Sequence, residues 1–185
     1  MKRLIFIIPL FFISIIFLGW GKVANKLHPS KKENIHWLTI TEAVELNKIK
    51  PKKIYIDVYT NWCGWCKKMD WESFTNLKVI EEMNADYYAV KLNAESRDSI
   101  NFAKHTFKYL PEYKANEFAV ALLAGKMAYP TTIIMDRDQK IITRIPSYLE
   151  ANQLKEILIY FGKDINLKST WNQYQKSMGK DTTAH

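Results

Sequence analysis

Cys63 and Cys66 are the only cysteines of this 185-residue chain, and they form a C-x-x-C pair in the segment Trp62-Cys63-Gly64-Trp65-Cys66-Lys67. The segment reads as a loop turning into a helix. A thiol at a helix start lies beside backbone N–H groups that lack partners and beside the positive end of the peptide dipole, which favours thiolate over thiol. A second thiol one turn along can attack a mixed disulfide made by the first, so the bound molecule is released and the pair closes. Cys63 is then the attacking thiol and Cys66 the resolving one. Lys67 and Lys68 add positive charge nearby, weakened by solvent.

Other uses of the pair fit less well. Two cysteines cannot build a disulfide-stapled scaffold, a four-cysteine zinc site or an iron–sulfur cluster. A zinc site completed by histidine would draw on His28, His36, His105 and His185, which lack the H-x3–5-H spacing. Haem attachment needs a His directly after the second cysteine, where Lys67 stands. A purely structural bridge over so small a loop removes little unfolded-state entropy. No metal is expected, and the redox-active disulfide is the only cofactor expected.

The rest of the chain must position that pair. Its length allows one ordinary domain with short extras. A content of 48% hydrophobic and 14% aromatic residues, with six Gly and six Pro, excludes disordered and collagen-like chains. The net charge of +8 could suit nucleic acid, but the lysines are scattered doublets such as Lys31-Lys32 and Lys52-Lys53, with no accompanying motif. They read as solvated basic faces, and no nucleic-acid partner is expected.

Met1-Lys2-Arg3 precedes an apolar run from Leu4 to Leu18, whose length lies between that of a secretory signal and that of a spanning helix. Gly19 and Gly21 suit a cleavage site, whereas Trp20 and Lys22 do not. Residues 1–21 are therefore a signal peptide or an N-terminal membrane anchor, and both alternatives stay open. Either way the protein is expected to be exported to a periplasm, soluble or anchored to the inner membrane. If the segment is uncleaved, contact with the membrane is through residues 4–20 only.

Residues 22–35 read as a linker, 36–163 as the folded domain and 164–185 as a tail with a short helix built on Leu167, Trp171 and Tyr174. Thr39 and Glu42 have capping-box spacing for a helix to about Lys48, ended by Pro51. Ile54–Tyr59 predicts a central strand, Asn76 caps a helix through Met83, and Tyr87–Leu92 is a second strand. Ile100–Leu110 alternates weakly, which favours a β-hairpin over a helix, and Ala115–Gly125 looks helical. Thr131–Met135 and Lys140–Ile145 predict an antiparallel hairpin. Ser147 and Glu150 repeat the capping-box spacing before a closing helix. The order predicts an α/β fold, a central mixed sheet flanked by helices.

Three separated elements resemble the thioredoxin-like family. Asp57-Val-Tyr-Thr-Asn-Trp-Cys-Gly-Trp-Cys-Lys is similar to its strand and active-site segment. Val90-Lys91-Leu92-Asn93 is similar to its next strand, and Tyr129-Pro130-Thr131-Thr132 to its cis-proline turn. The resemblance covers about Trp37 to Gly162. With Ser73-Phe74-Thr75 it extends to secreted thioredoxin-like proteins and to the C-terminal domain of membrane thiol:disulfide interchange reductases. It implies a thioredoxin-like fold, exchange with protein thiols and disulfides, and a membrane thiol-disulfide electron donor as partner. Two departures stand out. Gly64-Trp65 replaces the Gly-Pro of cytosolic thioredoxin, and residues 95–115 are an insertion before the cis-Pro turn that either roofs the site or extends the core.

Within that frame Asp57, a carboxylate inside a central strand, should be hard to ionise and suited to take the proton of Cys66. Lys91 neighbours it as a secondary site residue. The resemblance implies that the backbone of Tyr129, ahead of a cis Pro130, pairs with extended substrate, and Trp62 and Trp65 would form an apolar rim. The expected function is thus an extracytoplasmic thiol:disulfide oxidoreductase of unassigned direction. The alternative is a non-catalytic adaptor that binds a partner through the 95–115 insertion.

Overall fold

The computed structural model describes residues 33–180, so the expected signal or anchor of residues 1–21 and most of the linker lie outside the described residues. In chain order the elements are β1 (Trp37–Leu38), α1 (Ile40–Ile49), β2 (Lys53–Tyr59), α2 (Gly64–Glu72), α3 (Leu77–Asp86) and β3 (Tyr87–Asn93). Next come β4 (Ile100–Phe102), β5 (His105–Phe107), β6 (Tyr109–Leu110), β7 (Ala115–Asn116) and α4 (Glu117–Leu122). The chain continues with β8 (Thr131–Met135), β9 (Ile141–Ile145), α5 (Ala151–Gly162), a 3-10 turn at Ile165–Leu167 and α6 (Trp171–Ser177).

A five-stranded mixed sheet in the order β1-β3-β2-β8-β9 forms the middle layer. Its β1, β3 and β2 run parallel, while β8 and β9 join antiparallel. β2 carries apolar residues on both sides because both sides are covered. Ile54, Ile56 and Val58 pack with Ile40, Ala43 and Phe118 of α1 and α4, whereas Tyr55 packs with Met69, Val79, Met83 and Leu158 of α2, α3 and α5. The two-residue period of a strand gives Asp57 the face of Tyr55, so it lies beneath α2. At α3–α5 the helices meet at Gly162, where a Cβ would stand 2.8 Å from Asp86 Oδ2.

The predicted caps of α1 and α3 form. Thr39 Oγ1 accepts from the Glu42 N–H at 3.2 Å and the Glu42 carboxylate accepts from the Thr39 N–H at 2.8 Å. Asn76 Oδ1 accepts from the Lys78 N–H at 2.9 Å, and α3 runs three residues past Met83 to Asp86.

The closing helix differs. It is capped by Glu150 with Gln153, not by Ser147 with Glu150, and starts at Ala151. The loop before it stays outside the helix, where the Ser73 hydroxyl, fully buried, donates to the Leu149 carbonyl at 2.6 Å. Ile35, expected in the linker, is buried in the core. Leu167 is 76% exposed in the 3-10 turn and takes no part in docking α6, which Trp171 and Tyr174 do by packing on Tyr160.

The insertion extends the core. β4 and β5 form an antiparallel hairpin whose two-residue turn, Ala103-Lys104, has both φ angles positive, 49° and 64°. Phe102 and Phe107 each lie 5.1 Å from the Phe118 ring. Asn116, fully buried, donates to the carbonyls of Ser96 (3.3 Å) and Asp98 (2.9 Å) and accepts from the Phe118 N–H at the start of α4. Ala115 and Asn116, expected in a helix, instead pair with β6, so the helix is the shorter α4.

Candidate active site

The turn from Thr60 to Cys63 connects the end of β2 to the head of α2, and this places the cysteine pair. Cys63 is the N-cap of α2 and its Sγ accepts from the Cys66 N–H at 3.0 Å. The two sulfurs are bonded as a disulfide, with Cα atoms 5.3 Å apart. Both are buried, Cys63 at 4% and Cys66 at 1% exposure. On reduction, the same N–H would donate to a thiolate at Cys63.

Asp57 is 1% exposed. Burial pushes its carboxyl above the ordinary carboxylate range, and the nearby Lys91 ammonium offsets only part of this. Lys91 serves two acids, and the charge of the second, Asp70, raises the Asp57 carboxyl further. Its Nζ lies 2.6 Å from Asp57 Oδ2 and also contacts Asp70 Oδ1 on α2. No described group donates to Asp57 Oδ1. Burial acts to lower the Lys91 pKa, but the two carboxylates together hold it above its ordinary value. The ammonium also lies 5.0 Å from the Trp37 ring, 5.1 Å from Tyr59 and 4.7 Å from Phe74.

Above the disulfide the rim is aromatic. Trp62 and Trp65 are 66% and 58% exposed. Trp62 meets Tyr129 edge-on at 5.8 Å and donates its indole N–H to Glu95 at 2.8 Å, so the insertion touches the rim at its first residue. The Tyr129–Pro130 peptide is cis. A cleft of about 370 Å³ is lined by Trp65, Tyr129, Pro130, Ser147 and Tyr148. Among the described residues no group of three or more His, Cys, Asp or Glu side chains could hold a metal ion.

Every residue singled out in the sequence is therefore found around one helix: Cys63, Cys66, Trp62 and Trp65 at its head, Tyr129 and Pro130 beside it, and Asp57 with Lys91 beneath it. Two residues that the sequence did not single out join them. Asp70 stands one turn beyond Cys66, a spacing that puts both on one helix face. Tyr148 reaches the rim from the β9–α5 loop, and no local pattern marks it.

The fold and this site define the family. Residues 40–162 match the thioredoxin-like domain family, and the chain belongs to it. Solved structures share the fold. A DsbH oxidoreductase aligns with a TM-score of 0.53 at 18% identity over 77% of this chain and 94% of that one. A thioredoxin-fold protein from Helicobacter pylori gives 0.55 at 13% identity, covering 80% and 85%. A thioredoxin from Thermus thermophilus gives 0.51 at 12% identity, covering 82% and 98%. No curated protein matches the chain. The Cys63–Cys66 pair fits a redox site.

Proposed function

We propose that the protein is an extracytoplasmic thiol:disulfide oxidoreductase that exchanges disulfides with client proteins. The observation that carries this reading is the Cys63–Cys66 disulfide at the head of α2, with Cys63 Sγ already accepting a helix N–H. In the reducing direction the Cys63 thiolate attacks one sulfur of the client disulfide, forming a mixed disulfide and releasing the other client sulfur as a thiolate. Asp57 then takes the proton of Cys66. The Cys66 thiolate attacks Cys63 Sγ, the second client sulfur leaves as a thiolate, and two electrons have passed from protein to client. The reverse sequence oxidises a client dithiol. A membrane thiol-disulfide donor would restore the dithiol form.

Phe102 and Phe107 of the insertion are packed on Phe118, which supports catalysis over an adaptor role for that segment. The export reading rests on the basic start and the apolar run from Leu4 to Leu18. A fusion of residues 1–35 to a reporter active only after export should be active, and cytoplasmic activity would refute it.

Cysteine variants test the chemistry. Cys66→Ser should accumulate covalent mixed disulfides with clients, while Cys63→Ser should abolish turnover and trap none. Trapping by Cys63→Ser alone would reverse the roles, and turnover without either cysteine would refute the proposal.

A further inference from the structure

The cysteine pair and the start of the folded domain lie at opposite ends of the sheet. β2 runs from Lys53 to Tyr59 and leads to the cysteines, with β3 parallel to it. The far end gathers the end of α1, the β8–β9 turn and the chain after α5. Tyr88, near the start of β3, donates to the Lys50 carbonyl at 2.9 Å, and Asn47 donates to the Arg137 carbonyl at 2.7 Å. Asp164 pairs there with Lys53 and Arg137. The domain also begins at this end: Asn84 of α3 donates to the Asn34 carbonyl at 3.0 Å and accepts from the His36 N–H at 3.1 Å.

This end is apolar and basic together. Ile49 is 83% and Leu167 76% exposed. Single exposed apolar residues are ordinary. These two, however, stand among Lys50, Lys140 and Lys168, which are exposed and form no ion pair among the described residues. The acids of this end are engaged, Glu45 with Lys48, Glu82 and Asp86 with Lys163, and Asp136 with the N–H groups of its own turn, which leaves Asp138. The sequence leading into this end adds Lys22, Lys26, Lys31 and Lys32 against Glu33. By contrast Trp71, 81% exposed on α2, stands between Asp70 and Glu72, charges that an anionic surface repels.

Alkyl side chains ringed by unpaired lysines fit an anionic bilayer, where ammonium groups meet headgroup phosphates and alkyl groups enter the boundary beneath them. Only residues 19–33 separate the Leu4–Leu18 run from this end, so a run held in lipid keeps the end at a high effective concentration over the surface.

We propose that this end, through Ile49, Leu167, Lys50, Lys140 and Lys168, docks on the surface of an anionic bilayer and turns the Cys63–Cys66 pair away from it, toward clients in the aqueous space. This is a second membrane contact besides residues 4–20, and it rests on the anchor alternative for that segment.

The test carries the full chain, with residues 1–21 in place, in nanodiscs of phosphatidylcholine alone or with about a quarter phosphatidylglycerol, and follows lysine acetylation by mass spectrometry. Lys50, Lys140 and Lys168 should react about fivefold more slowly on the anionic discs, the weight of a single lysine at such a surface, while the exposed Lys104 and Lys114 of the insertion react alike on both. Ile49→Ser with Leu167→Ser should bring the difference to within about twofold and leave reduction of hydroxyethyl disulfide unchanged. Equal acetylation on the two discs overturns the docking face, as does unchanged protection in the double variant or equal protection of Lys104 and Lys114. The anchor is read separately. A chain recovered from cells that starts after residue 21 refutes the anchor, and that form is then sedimented with vesicles of the same two compositions. Pelleting with the anionic vesicles alone upholds the face, and pelleting with neither, or equally with both, overturns it.

Discussion

Asp57 and Asp70 share one ammonium. Lys91 Nζ is 2.6 Å from Asp57 Oδ2 and in contact with Asp70 Oδ1, so a carboxylate buried in the sheet and a half-exposed one on the cysteine-bearing helix compete for the same charge. Burial outweighs the compensation Asp57 receives from Lys91, the charge of Asp70 adds to the effect of burial, and the Asp57 carboxyl stays above the ordinary range. That state suits a group that must accept a proton and then lose it.

Asp57→Asn should slow resolution of the mixed disulfide by about 10²–10⁴-fold, the usual range for losing a general base, and formation by far less. The amide keeps the shape but cannot take the proton of Cys66. Single-turnover kinetics on a peptide mixed disulfide separate the two steps. Equal slowing of both would make Asp57 a structural residue.

The same substitution has a pH signature in stability. A carboxyl with a raised folded pKa binds its proton more tightly folded than unfolded, so its contribution is full below the ordinary carboxylate value. That contribution is lost as pH rises through the raised value. Asp57→Asn has no such loss, so it should be more stable than wild type at pH 8, with the difference shrinking toward pH 3. Urea unfolding at several pH values measures this, and a variant less stable at pH 8 would contradict the assignment.

Lys53 heads the central strand with its side chain 3% exposed, paired with Asp164, which Arg137 also holds at 2.9 Å. Asp164→Asn leaves that ammonium buried without a full counter-charge and should cost about 3 kcal/mol. Adding Lys53→Met should recover most of the loss, because an apolar side chain of similar length needs no partner. Chemical denaturation of the single and double variants checks both. Additive losses would show that the pair is not coupled. The matched family region ends at Gly162, so it excludes Asp164 and with it a charge the central strand requires.

The β4–β5 turn asks Ala103 and Lys104 to adopt positive φ, a conformation that disfavours both residues. Ala103→Asn with Lys104→Gly supplies the pair such two-residue turns favour and should stabilise the domain by about 1 kcal/mol. Thermal melts would register the gain, and a loss would mean that the turn is shaped by other contacts.

The sequence was most legible where a signal and its effect are close together. Thr39 with Glu42 and Asn76 with its helix need only three or four residues to act. The cysteine pair and Asp57 were legible because their chemistry is carried by residue type within one strand and one helix. Distance hid the rest. Ser147 has the right neighbour for a cap, but Ser73, more than seventy residues upstream in the chain, holds Leu149 and keeps that loop out of the helix. Tyr148 acquires its place through Glu72, equally remote. The hairpin gave only a weak pattern because its turn lacks the Asn-Gly that usually marks one.

The sheet order carries a consequence for how the molecule is made. β2 lies between β3 and β8, strands that follow it by 34 and about 80 residues, so during synthesis the cysteines just after β2 emerge before either neighbour exists. Non-local pairings of this kind form late and slowly. In the nascent chain Cys63 and Cys66 therefore stand without Lys91 beneath them or the Tyr129–Pro130 wall beside them. The site is complete only once those strands have joined the sheet.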